Sequence, residues 1–226
     1  HRRPRSGFRH SGTGIGLMGE QRKIAILPAT PEHADLAAQL IYVTAPPFFD
    51  YLYGPDPVFR ARLIALQWQA ETGFLSHRHT MAAYGSNGGL LGIELGFDGP
   101  AGNKAFAEAT EIVARHATAE QQRYIAEAMQ GLTYVTPHTP GGNYCIHHLA
   151  VADNDQARGL GRLLLQGAFD RAAALGYRAV CLDVLENNPA VGFYLHLGMR
   201  LACEVRVPGL AREHGFPAVY RMVRDV

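Results

Sequence analysis

Asn143-Tyr144-Cys145-Ile146-His147-His148-Leu149-Ala150-Val151, followed after a short polar stretch by Gln156-Ala157-Arg158-Gly159-Leu160-Gly161-Arg162, is the stretch that decides how this chain folds. Its first part reads as a strand. From Leu160 to Leu175 the apolar residues take helical spacing, and Gly176 stops the run at C′. Between them lies a glycine-bearing turn from strand into helix. Such a turn aims several backbone N–H groups at one point beside the positive end of a helix dipole, which suits a phosphate or pyrophosphate. Gly159 and Gly161 let an anion approach the backbone without a Cβ in the way, and Arg158 and Arg162 add charge.

Downstream, Arg178–Val184 is apolar at successive positions, as a central strand covered on both faces would be. Pro189–Leu197 reads as a short helix ended by Gly198, and Met199–Val207 and Ala218–Val223 as closing strands. Upstream, Arg22–Leu27 reads as a strand. Thr30 as N-cap and Pro31 at N1 start a helix whose spacing runs over Ala34–Ile41. Tyr42 to Tyr53 reads as an aromatic loop punctuated by Pro46 and Pro47, before a helix from about Asp56 to Glu71. His79–Tyr84 and Leu90–Phe97 form a hairpin joined by Gly85-Ser86-Asn87-Gly88-Gly89. Gly99–Asn103 breaks the pattern, Lys104–Gly131 holds one or two amphipathic helices, and Thr136–Gly142 is a Pro/Gly loop. No internal repeat is visible. The pattern predicts an α/β (α+β) domain over 22–226 with a helical insertion at about 100–139. Residues 1–21 read as a tail, with Met18 placed as a native start would be and an Arg-, Gly- and Ser-rich stretch before it that lacks the apolar core of a secretory signal.

The 226 residues carry a formal net charge of +1, with 47% hydrophobic and 18% charged residues. That balance argues against a dedicated nucleic-acid binder, and no apolar run approaches the roughly 20 residues that cross a bilayer. Cys145, Cys181 and Cys203 each sit in an apolar run without metal-ligand spacing, which predicts free thiols in a reducing, cytoplasmic setting. No metal is expected: neighbours His147 and His148 should face opposite ways on a strand, and His77 and His79 lack a third ligand. Gly14-Ile15-Gly16-Leu17-Met18-Gly19 matches the dinucleotide fingerprint in letters only, because a polar tail precedes it and a strand follows.

Over residues 143–201 these features join: a strand, the turn Gln156-x-x-Gly159-x-Gly161, a helix, a strand, then Asn187-x-x-Ala190-x-x-x-Tyr194-x-x-x-Gly198-Met199. This resembles the GNAT superfamily of acetyl-CoA-dependent N-acetyltransferases. The resemblance implies a mixed, largely antiparallel sheet of about seven strands flanked by helices. Its strands 4 and 5 would splay apart, with the helical insertion between strands 3 and 4. It also implies acetyl-CoA as co-substrate. Leu149, Ala150 and Val151 would pair with the pantetheine arm, and the N–H of Leu149 or Val151 would polarise the thioester carbonyl. Gln156, Ala157, Arg158, Gly159, Leu160, Gly161 and Arg162 would hold the pyrophosphate. Asn187 and Ala190 would lie beside the arm, and Tyr194 would return a proton to the thiolate. In place of the proline and aromatic frequent before the family's phosphate turn, this chain has Asp153 and Asp155.

The acceptor would be a primary amine of a small molecule or peptide, attacking directly in a ternary complex. A protonated amine has no lone pair, so a base must remove a proton. His147 is the first choice, on a strand-four position where serotonin N-acetyltransferase uses a histidine. Alternation would put residues 147, 149 and 151 on one face and His148 on the other. Glu94, a carboxylate inside Ile93-Glu94-Leu95, is the rival, and a water chain without a single base is the third choice. A non-catalytic acyl-CoA sensor on the same fold is the alternative function. The insertion at 100–139 would then serve a partner or a homodimer interface.

Overall fold

The computed structural model describes residues 24–152 and 159–226. In chain order its elements are β1 (Ala25–Pro28), α1 (Ala34–Tyr42), α2 (Pro46–Tyr53), α3 (Pro57–Gln69), β2 (Thr80–Tyr84), β3 (Leu90–Asp98), α4 (Gly99–His116) and α5 (Ala119–Leu132). Then come β4 (Asn143–Val151), α6 (Leu160–Ala174), β5 (Ala179–Leu185), α7 (Ala190–His196), β6 (Arg200–Val205), α8 (Pro208–His214) and β7 (Val219–Asp225). The strands form one sheet in the order β1-β2-β3-β4-β5-β7-β6. Every pairing is antiparallel except β4 with β5.

Helices cover both faces. On the front, Ala82, Ile93, Leu185 and Val219 pack with the buried residues of α1, α2, α3, α5 and α8. On the back, Val180, Leu182, Val184 and Met222 pack under α6 and α7 through Leu165, Phe169 and Tyr194. The sandwiching accounts for the apolar run in β5, whose residues are nearly all buried. Cys145 and Cys181 are buried register partners on β4 and β5, Cys203 is exposed on β6, and all are free. Among the described residues no helix is long and apolar enough to cross a membrane.

Several expectations need correction. Residues 46–53 are helical: Pro46 and Pro47 occupy the first turn of α2, where a missing N–H costs nothing, so the prolines start a helix instead of punctuating a loop. Likewise Gly99 and Pro100 open α4, with Asp98 accepting from Ala101 N–H at the cap. Helix α1 starts at Ala34 after His33 in the left-handed region, with neither Thr30 nor Pro31 at its cap. Helix α8 was not anticipated, because its seven residues carry one buried apolar side chain, Leu210.

Candidate functional site

The site is built around one irregularity in β4. Leu95 pairs with His148 and the next residue, Gly96, pairs with Ile146, so His147 is an extra residue, a β-bulge. The β4–β5 ladder runs from Asn143–Ala179 to Ile146–Leu182 and ends there. Beyond the bulge β4 continues to Val151 beside β3 only, while β5 continues to Leu185 beside β7 only. The strands therefore part at Ile146.

The direction of the freed backbone follows from the register. Ala152 donates its N–H to Leu91 O on the β3 side. In an antiparallel pair the bonding groups alternate, so Ala150 and His148 also turn theirs to β3. The N–H and C=O groups of Leu149 and Val151 point the other way, into the gap, and find no strand partner among the described residues.

At the back mouth of the gap, Gly159 sits left-handed at φ 72° as the N-cap of α6, and an added Cβ would meet nothing within 4 Å. A Cβ on Gly161 would contact Phe193 and Val151, each at 3.7 Å, so this glycine keeps the first turn of α6 close to the end of β4. Arg162 is exposed on that turn. Gln156, Ala157 and Arg158, with Asp153 and Asp155, lie outside the described residues. Asn187 is exposed in the turn after β5, and its neighbour Asn188 caps α7 by accepting from Ala190 N–H at 2.8 Å. Tyr194 is buried against the back-face cluster that includes Ile146, Val184, Leu149 and Ala190. Burial pushes its hydroxyl up to about 12.

The bulge also resets which way the histidines face. Strict alternation would separate His147 from His148. Instead both lie on the front. His147 packs against Phe97 (centroids 4.5 Å apart) and Phe74 (4.8 Å), and His148 against Phe49 (5.6 Å). The expectation that His147 shares a face with Leu149 and Val151 is thus overturned, because the inserted residue breaks the two-residue period. Burial lowers His147 to about 3, helped by His148 and Arg221, and lowers His148 to about 4. Both rings are neutral near pH 7.

His148 has a defined tautomer. Thr44 Oγ1 lies 2.7 Å from Ile41 O and 2.8 Å from His148 Nδ1. A carbonyl only accepts, so the single hydroxyl proton goes to Ile41 and Thr44 accepts from His148 Nδ1–H. Nε2 is left with its lone pair. His147 makes no hydrogen bond among the described residues and is held by aromatic packing alone. Thr44 and Phe49 carry no local signal in the sequence. Thr44 lies 104 positions from His148.

Glu94 is in a different place from the rest. It is fully buried on the back face, where Arg171 of α6 donates to Oε2 and Tyr144 donates to Oε1 at 3.0 Å. Burial nonetheless pushes it up to about 7. The sheet separates it from the histidines, so the structure does not bring the two base candidates together. A second buried pair, Arg221 with Asp183, lies on the front, where Arg221 also donates to the carbonyls of Pro137 and His138. It ties the segment after α5 to β5 and β7.

Residues 105–199 match the model of the acetyltransferase (GNAT) family. No curated protein matches the chain. Among solved structures, one described only as an acetyltransferase is 20% identical, covering 89% of this chain and 99% of its own, with a TM-score of 0.64. An N-acetyltransferase from Staphylococcus aureus Mu50 is 14% identical over 88% of this chain and all of its own, TM-score 0.66. A mosquito arylalkylamine N-acetyltransferase like 5b is 16% identical over 90% of this chain and all of its own, TM-score 0.54. At these identities the likeness shows the fold: a mostly antiparallel seven-stranded sheet with one parallel pair. The family model matched over residues 105–199, the shared fold and the parting of β4 from β5 after a bulge support membership of the GNAT acetyltransferase superfamily.

Proposed function

We propose that this protein moves an acetyl group from acetyl-CoA to a primary amine within a ternary complex. The observation that carries the reading is the gap itself: two residues of β4, Leu149 and Val151, turn backbone groups without a strand partner among the described residues toward a strand that has moved away. An extended amide-bearing arm is the ligand that completes such an edge. The pantetheine arm of coenzyme A has that chemistry, and the residues present fit it. Leu149, Ala150 and Val151 pair with the arm, and Asn187 and Ala190 flank it. The α6 N-terminus with Gly159, Leu160, Gly161 and Arg162 takes the pyrophosphate. Gln156, Ala157 and Arg158 are assigned to the same anion by their place in the sequence, just before Gly159.

Each remaining residue has one task. The N–H of Leu149 or Val151 donates to the thioester oxygen as negative charge develops there. A front-face histidine accepts the proton of the attacking nitrogen. Of the pair, His148 is favoured over His147, because Thr44 fixes its tautomer and leaves Nε2 free. As the C–N bond forms, the nitrogen's proton passes to Nε2. The C–S bond then breaks, and Tyr194 gives the thiolate a proton that solvent restores. The roles divide across the sheet: coenzyme from the back, acceptor from the front.

The test is calorimetric titration of acetyl-CoA into the wild type and into the double variant Gly159→Glu, Gly161→Glu. Two carboxylates in the anion cradle should abolish detectable binding. Unchanged affinity would remove the coenzyme from this site.

A further inference from the structure

We infer that the acceptor is an aromatic amine that is uncharged at neutral pH, rather than an alkylammonium ion. The inference rests on the acetyltransferase reading and adds the substrate class. Its basis is the charge and shape of the front face around His147 and His148.

The charges around the front face are already paired. From β5, Asp183 faces the front, but both of its oxygens are bound by Arg221 of β7. Asp50 of α2 is bound by Arg60 and Tyr42. The 3-10 turn before β2 contributes His79, packed on Phe97, and the carboxylate that reaches His79 is Glu108 of α4, which accepts from Gly73 N–H and pairs with Lys104. From β3, Glu94 lies on the other face under Arg171. Among the described residues, Arg221 is the charged side chain that lowers His147, and Asp183 is its counter-ion; His148 is shifted by burial alone. An ammonium ion entering here would leave water for two neutral imidazoles, with each nearby carboxylate among the described residues already engaged by a cation.

The proton chemistry points the same way. An alkylamine is protonated near pH 7, with a pKa of about 10. A buried, weakly basic imidazole cannot strip that proton efficiently. An arylamine already has its lone pair. Only after it attacks does its nitrogen become acidic, and His148 Nε2 is then a sufficient acceptor. Shape agrees. The segment Thr44–Phe48 beside His148 is half-buried and bears no charge. Behind it Phe49 packs on His148, Phe48 lies edge-on to Phe49 with centroids 5.7 Å apart, and Tyr42 is 6.3 Å from Phe49. A flat ring fits such walls better than a flexible chain does.

The experiment measures thiol release from acetyl-CoA by the full chain at pH 7 with ring-substituted anilines and the matching benzylamines. Anilines should show kcat/KM at least about tenfold higher. The benzylamine rate should rise about tenfold per pH unit as the neutral fraction grows. Ala45→Asp sharpens the test. Ala45 is the uncapped N-cap of α2, next to Thr44, where aspartate is favoured. The added carboxylate should shift the ratio toward benzylamines by about threefold or more. Benzylamines preferred by the wild type at pH 7, with anilines inert, would overturn the inference while leaving the transferase reading intact. No turnover with either class would also overturn it. Acetyl-CoA titration then shows whether the transferase reading falls with it, which absent binding would establish.

Discussion

The two faces of the sheet at β3 and β4 handle buried ionisable groups in opposite ways. On the back, Glu94 is completely enclosed, yet both oxygens are engaged by Arg171 and Tyr144. On the front, His148 has one nitrogen committed to Thr44 and the other free, and His147 has neither committed among the described residues. Both environments shift pKa values by desolvation, so a perturbed pKa does not by itself separate structure from chemistry. Spare bonding capacity does. A group whose bonds are all made holds α6 onto the sheet. A neutral ring with a fixed tautomer and a free lone pair is available to a reacting proton.

The contrast can be broken most forcefully at Glu94. Glu94→Ala leaves Arg171 and the buried Tyr144 hydroxyl without their partner. Because Arg171 is about one-third exposed, the loss should sit near the low end for a broken buried pair, about 3 kcal/mol. Urea unfolding measures it, and a loss under about 1 kcal/mol would deny the group its structural role. On the other side of the gap, Tyr194→Phe should lower kcat about tenfold with unchanged acetyl-CoA affinity. Full activity in that variant would remove Tyr194 from proton return. Thr44→Val should cost about fivefold in kcat, since His148 stays packed against Phe49 but loses tautomer control. The long-range 15N–1H spectrum of the wild type should show the Nδ1–H form, and of the variant a mixture; identical spectra would contradict the assignment. The smallest effect is a slope. With its folded pKa raised to about 7, Glu94 binds its proton more tightly in the folded chain. That contribution is fully present below the ordinary carboxylate value of 4.5 and is lost as pH rises through about 7. The wild-type Tm should therefore fall relative to that of Glu94→Gln over this window, and parallel curves would refute the shift.

Much of the frame could be read from the chain alone. Asn143–Val151 is the strand in full, and Gly176 and Gly198 end α6 and α7 with positive φ as their C′ positions require. These signals are local: hydrophobic period and helix stops. The bulge at His147 is not local. It exists because β4 pairs with β3 in one register above Gly96 and another below it, and no residue type announces that. Missing it put the histidines on opposite faces and hid their common site. Thr44 was invisible for a related reason: its bond to His148 depends on α1 ending at Tyr42 beside β4. The prolines of α2 misled because one residue type both ends helices and starts them, and only the position within the turn decides which.

The central claim is that chemistry belongs to the front-face histidine and stability to the back-face carboxylate. A direct comparison of kcat/KM for thiol release by His148→Gln and Glu94→Gln, under identical conditions, tests it. The histidine variant should lose about a hundredfold while the glutamate variant stays within about threefold of wild type. A hundredfold loss in Glu94→Gln with His148→Gln near wild type would contradict it.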